Sequence, residues 1–257
     1  MKLSCSVTGD GPPLVIAHGL FGSGRNWAGF AKSVSADFRT ISVDMRNHGA
    51  SPWDDRMDYP AMAEDLLATI DGEAGGKAML LGHSMGGKAA MAAALTRPDA
   101  VSALIVVDIA PVVYRQSHAS FIDAMQAVDL SSIERRGEAD AALAAEIPDQ
   151  GVRQFLLQNL ELGKEGAKWR LNLDVLCGSM ANLTAFPFEA GEQKYEGPTL
   201  FIGGSASEYL TPDRFDAVRE FFPAAEIEVV DGAGHWVHAE KPADFLTLAT
   251  DFLARSG

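Results

Sequence analysis

Cysteine is nearly absent from this chain: Cys5 and Cys177 are the only two in 257 residues. Two thiols so far apart suggest neither a disulfide framework nor a metal cluster. They are read as free thiols of a reducing compartment. Long apolar runs are also missing, and none approaches the ~20 residues that a membrane span requires. The opening Met1-Lys2-Leu3-Ser4-Cys5-Ser6 has no extended apolar stretch of the kind a secretory signal carries. Positive charge is scarce: 21 Lys and Arg against 35 Asp and Glu give a net charge of 21 − 35 = −14. Such a surface repels phosphate backbones and anionic lipid. The one local basic cluster, Lys164, Lys168 and Arg170, is interleaved with Glu161 and Glu165. The expectation is a cytoplasmic protein with no nucleic-acid partner and no membrane span. The sequence is silent on oligomeric state.

What is present is a rhythm of buried strands and helices. Leu14-Val15-Ile16-Ala17, Ala78-Met79-Leu80-Leu81 and Ala103-Leu104-Ile105-Val106-Val107 are short and apolar throughout, with no polar alternation, and Thr40-Ile41-Ser42-Val43 is read as another short strand. That pattern predicts a parallel sheet covered on both faces. A short strand is expected over Lys2–Val7, and helices over Tyr59–Ile70 and the Ala-rich Lys88–Leu95. The rhythm stops at Pro111 and resumes at Pro198-Thr199-Leu200-Phe201-Ile202, followed by a last strand at Glu226–Val230 and a closing helix over Pro242–Ala254. Between them, Phe121, Ile122, Met125 and Val128 form one helical stripe, and Phe155, Leu156 and Leu160 another. The fold class is therefore α/β, with a core made of residues 1–111 and 196–257. Residues 112–195 are expected to form a mainly helical cap inserted after the strand that ends at Asp108.

Gly82-His83-Ser84-Met85-Gly86 sits between the strand at 78–81 and the Ala-rich helix. Gly-x-Ser-x-Gly in that setting turns strand into helix over one residue, which forces the serine into a strained backbone and brings strand and helix close together. Glycine fits two positions to either side because it has no Cβ. The Ser84 hydroxyl then projects near the positive end of the following helix, where a nucleophile is useful.

A serine nucleophile needs a base, an acid and an oxyanion hole. His235 is the candidate base, on the glycine-rich loop Asp231-Gly232-Ala233-Gly234-His235 after the last strand. Open α/β sheets bind ligands at such strand ends, and histidine exchanges protons readily near neutrality. His83 and His238 are read as packing residues. The acid is expected between Ser84 and His235. Asp108 is favoured, because an Asp ending so apolar a strand has no obvious structural use, with Glu208 and Asp213 as alternatives. The backbone N–H groups of Met85 and Leu20, the latter in His18-Gly19-Leu20, are the expected oxyanion donors. Asp44, Arg46, Asn47 and His48 are read as a tight turn with an ion pair beneath the site. Phe21, Phe121, Met125, Phe155, Trp169, Phe186 and Trp236 are candidate pocket walls, the cap residues equally candidates for a small core of their own.

These segments resemble the α/β-hydrolase superfamily over nearly the whole chain, and more narrowly the YbfF-type esterases and their mitochondrial abhydrolase relatives. The resemblance is carried by His18-Gly19-Leu20-Phe21-Gly22-Ser23, Asp44-Met45-Arg46-Asn47-His48-Gly49, Gly82-His83-Ser84-Met85-Gly86-Gly87-Lys88, Val107-Asp108-Ile109-Ala110-Pro111 and the run Gly232–Pro242. It implies that the acid follows the strand before the cap, which favours Asp108, and that neither cofactor nor metal is used. The activity it implies is hydrolysis of carboxylic esters or thioesters through an acyl-enzyme. The same triad serves acyl-CoA thioesterases, acyltransferases, C–C hydrolases and perhydrolases, and a non-catalytic ligand receptor is the rival outside enzymes. Serine at position 84 disfavours the dehalogenases and epoxide hydrolases that use an aspartate nucleophile.

Overall fold

Seven strands build the central sheet of the computed structural model, which describes residues 1–115, 117–164 and 166–256. Glu165 of the interleaved charge cluster lies outside the described residues. The first five strands are β1 (Cys5–Thr8), β2 (Pro13–Ala17), β3 (Arg39–Val43), β4 (Ala78–His83) and β5 (Val101–Val107). A hairpin of β6 (Leu160–Gly163) and β7 (Gly166–Trp169) stands apart, and β8 (Thr199–Gly204) and β9 (Ala225–Val230) complete the sheet. The order is β1-β3-β2-β4-β5-β8-β9. β1 runs antiparallel to β3; the remaining sheet pairings are parallel.

Side chains alternate between faces along a strand, and here both faces are covered. Leu14, Ile16, Leu81, Ile105 and Val107 join Trp27 and the closing helix Pro242–Ser256 on one side. Val15, Ala17, Leu80, Leu104 and Val106 pack on the other, against helices Tyr59–Glu73 and Met85–Thr96. This is why the strands read as unbroken apolar runs. β9 differs: among the described residues it pairs only with β8, and it keeps Glu226 and Glu228 exposed. Charges of this kind protect a sheet edge from pairing with another chain.

Between β5 and β8 the chain makes an excursion through helices Ala119–Gln126, Arg136–Leu143, Gln150–Leu157, Leu173–Gly178 and Met180–Thr184 and the β6–β7 hairpin. Leu160, expected on a helical stripe with Phe155 and Leu156, instead opens β6 opposite Trp169. The helix ends first because Asn159 turns back: its Nδ2 donates to Leu156 O at 3.1 Å and to Phe21 O at 2.7 Å. Met125 and Trp169 close the centre of the excursion, where Trp169 Nε1–H donates to Met125 O at 3.0 Å. Lys88, on the helix after β4, is 1% exposed. Its ammonium donates to Val112 O at 2.8 Å, Thr184 O at 3.0 Å and Ala185 O at 2.6 Å, so it ties both roots of the excursion to the sheet. Burial, helped by the Arg214 charge, pushes the Lys88 pKa down to about 7.

The turn after β4 is tightly packed against backbone. A Cβ on Gly86 would lie 2.5 Å from both Ala17 O and His18 O, and one on Gly82 would collide with the Gly86 carbonyl. These neighbours are backbone and cannot rotate away. Gly86→Ala is therefore expected to lower stability by about 2–3 kcal/mol, or roughly 5–10 °C in Tm. Gly72→Ala meets nothing within 4 Å on a helix and should raise it by up to ~1 kcal/mol. Thermal denaturation of both variants checks this; equal melting temperatures would count against the close approach.

Candidate active site

Ser84 follows β4 directly and has φ +52°, ψ −118°. A non-glycine residue held at positive φ costs on the order of 1–3 kcal/mol. Here it is pinned by its own backbone: Ser84 N–H donates to Val107 O at 2.9 Å, and Lys88 N–H donates to Ser84 O at 3.0 Å. The twelve-residue helix Met85–Thr96 starts at the next residue and directs its positive end at this turn.

Asp108 directly follows β5, also at positive φ (+49°), and is fully buried. Its carboxylate is surrounded by donors. Oδ1 accepts from Gly204 N–H at 3.1 Å; Oδ2 accepts from the Ser207 hydroxyl and from His235 Nδ1–H at 2.7 Å. With Nδ1–H committed there, His235 presents Nε2 as a proton acceptor. Glu208 and Asp213 are both exposed, and neither reaches His235. Ser84 and His235 line one cavity. Among the described residues no hydrogen bond joins them, and such contacts commonly close only around substrate.

The loop after β2 is held from three sides. His18 Nδ1–H donates to Gly19 O at 2.7 Å while its Nε2 accepts from Met45 N–H at 2.9 Å. Phe21, at φ +63°, donates its N–H to His48 Nε2 at 3.2 Å and accepts from Asn159 through its carbonyl. Gly22 N–H donates to Gly19 O. Among the described residues, the N–H groups of Leu20 and Met85 have no protein acceptor. In the turn beneath, Arg46 pairs not with Asp44 but with Asp65 of the helix Tyr59–Glu73, at 2.7 Å. Asp44 instead accepts from Gly24 N–H and Ala50 N–H, both at 2.8 Å.

The cavity over Ser84 has a volume of about 220 Å³. Of the seven candidate walls, Phe21, Phe121, Phe155 and Trp236 line it, together with Leu20. Met125 and Trp169 lie in the excursion's interior, and Phe186 packs on Phe188 and Phe221. Three neighbours carry no signal in the sequence: Ser207, Tyr209 and His118. The Tyr209 ring lies 4.2 Å from that of His235, and its hydroxyl is hydrogen-bonded to His118 Nε2 at 3.2 Å. A larger groove of about 640 Å³ contains neither Ser84 nor His235; Arg25, Arg136 and Arg170 meet there from distant segments, a basic cluster that the linear sequence conceals.

Burial pushes the other histidines toward the neutral form. His83 Nε2–H donates to His235 O at 2.9 Å, fixing that loop, and burial lowers its pKa well below the ordinary value. His238 stacks on Trp27 at 4.2 Å, and burial brings it to about 4. Burial, with His18 alongside, brings His48 to about 3. An unfolded histidine protonates near ~6.5, so the unfolded chain binds more protons than the native one below that pH. The stabilisation from His48 is complete above pH ~6.5 and is lost as pH falls toward about 3, at about 1.4 kcal/mol per unit. The urea midpoint should accordingly fall between pH 7 and pH 5, and the fall should be shallower in His48→Gln. Equal midpoints at the two pH values would contradict the neutral, buried rings.

The α/β-hydrolase-fold family model matches residues 12–242. The chain is 43% identical over 252 residues to the mouse sn-1-specific diacylglycerol lipase ABHD11, covering 95% of this chain and 81% of that protein. It is 42% identical over 245 residues to esterase YbfF of Escherichia coli (strain K12), covering 94% and 92%. A solved structure described as a marine microorganism esterase superposes with a TM-score of 0.94 at 36% identity, covering 98% of this chain and 99% of that one. With a family match across most of its length and relatives this similar over nearly all of it, the chain belongs to the α/β-hydrolase family.

Proposed function

We propose that this protein is a serine hydrolase of carboxylic esters, working through Ser84, His235 and Asp108. The observation that carries the reading is the Asp108–His235 hydrogen bond of 2.7 Å, at the edge of a cavity that also holds the strained Ser84. Its standing among relatives named as an esterase and a lipase agrees with this.

In the proposed reaction His235 Nε2 takes the hydroxyl proton as Ser84 Oγ bonds to the acyl carbon. Asp108 holds the imidazole in the tautomer that makes Nε2 the acceptor, and its negative charge stabilises the imidazolium. The carbonyl oxygen becomes an oxyanion between the N–H groups of Leu20 and Met85. Each such donor is worth about 3–4 kcal/mol of barrier, and the positive end of the helix acts in the same direction. The C–O bond to the leaving group then breaks as the proton returns from Nε2 to the departing oxygen. Water, deprotonated by His235, attacks the acyl-enzyme; the C–Oγ bond breaks, Ser84 regains its proton and the acid is released. Residues 112–195 act as a cap whose Phe121 and Phe155, with Phe21 and Trp236 of the core, wall an apolar substrate site.

Mixing the protein with a p-nitrophenyl ester should release a burst of p-nitrophenol equal to the enzyme present. Ser84→Ala should abolish the burst and lower kcat by roughly four to six orders of magnitude. Asp108→Asn should keep the fold and lower kcat by about 10⁴, which circular dichroism and steady-state rates report together. An undiminished burst in Ser84→Ala would refute the proposal.

A further inference from the structure

Two cavities meet at Ser84. Ser84, Leu20, His118 and Tyr209 border both, but the remaining walls differ. The larger one, about 220 Å³, contains His235 with Phe155 and Trp236. The smaller, about 40 Å³, contains Met85 but not His235, and is closed by Tyr59, Lys88, Met180 and Leu183.

The chemistry of the tetrahedral centre distinguishes the two. Its four substituents are Ser84 Oγ, the oxyanion, the leaving oxygen and the acyl chain. The oxyanion lies at the Leu20 and Met85 N–H groups. The leaving oxygen has to receive its proton from His235, so the leaving group lies on the His235 side, in the larger cavity. The acyl chain takes the direction that remains, into the smaller one. From this partition we infer that the enzyme selects short acyl groups, of two to about four carbons, attached to a bulky apolar alcohol. The inference rests on the hydrolase reading of the site.

The volumes support this. The smaller site, about 40 Å³, has about a fifth of the space of the larger one, about 220 Å³, and an apolar cavity of about 150 Å³ takes a benzene ring. An aromatic or branched alcohol therefore fits the larger cavity, while a long acyl chain has no room in the smaller. Its walls are also fixed. Tyr59 O–H donates to Leu183 O at 2.7 Å, Tyr114 O–H donates to Tyr209 O at 2.6 Å, and the Lys88 ammonium is bonded to three carbonyls. A chain that pushed past them would break hydrogen bonds to a buried charge, which is costly without replacement partners.

The experiment is a series of p-nitrophenyl esters from acetate to octanoate with the full-length protein. The expected kcat/KM is highest at two to four carbons and at least 100-fold lower for octanoate. Met180→Ala and, as a gentler change, Leu183→Val should each raise hexanoate relative to acetate by about tenfold. Phe155→Ala, in the larger cavity, should alter KM but leave the chain-length ranking as it was. A wild-type optimum at eight carbons would overturn the inference, as would a ranking that responds to Phe155→Ala and not to Met180→Ala. The absence of a Ser84-dependent burst with every ester would instead overturn the hydrolase reading, and this inference with it.

Discussion

The approach of Gly86 to the carbonyls of Ala17 and His18 is the constraint on which the site depends. It brings the C-terminal end of β2 against the start of the helix that follows β4. The N–H groups of Leu20 and Met85, which have no protein acceptor among the described residues, come from those two segments. A single Cβ between them would drive the segments apart, and the proposed oxyanion hole would open with them. The same contact helps to hold Ser84 at positive φ, because the strand–helix turn has no room to relax. Packing and chemistry at this turn have one cause.

Electrostatics around the turn follow from burial. His18, His48, His83 and His238 are all pushed toward the neutral form, chiefly by loss of water. As neutral rings, His18, His48 and His83 can each donate from one nitrogen, and two of them accept at the other from backbone N–H groups. Charged rings could not accept. His235 differs in its partner: it alone bonds to a carboxylate. Six histidines thus divide into a rigid neutral frame and one ring beside a fixed negative charge, with His118 hydrogen-bonded to Tyr209 at the cavity wall.

The sheet could be read from the sequence because both of its faces are buried, which leaves short apolar runs with no polar alternation. The turn at Ser84 could be read because its geometry tolerates only glycine at the flanks. Asp108 stood out because a carboxylate at the end of such a strand needs a partner. Ser207 did not stand out, although its hydroxyl is bonded to that carboxylate, since an isolated serine in a loop carries no periodicity or spacing. Tyr209 and His118 were hidden for the same reason. Within the excursion, the apolar stripe through Phe155 and Leu156 was legible but its end was not. Asn159 stops the helix by bonding to Phe21, 138 positions away in sequence, and such long-range pairing leaves no local mark. Of seven aromatic and methionine candidates for the wall, Met125, Trp169 and Phe186 turned inward or away, because a helical stripe predicts burial without saying against what.

Lys88 has a mechanical consequence. Its three acceptors belong to the segments by which the excursion leaves the sheet, at Val112, and returns toward it, at Thr184 and Ala185. Both feet of that arch are thereby bolted to the helix that carries the proposed nucleophile. Displacing either foot would require breaking hydrogen bonds to this ammonium. The same ammonium thereby braces the ceiling above Met85 and Tyr59, which borders the smaller cavity together with Lys88 and Thr184.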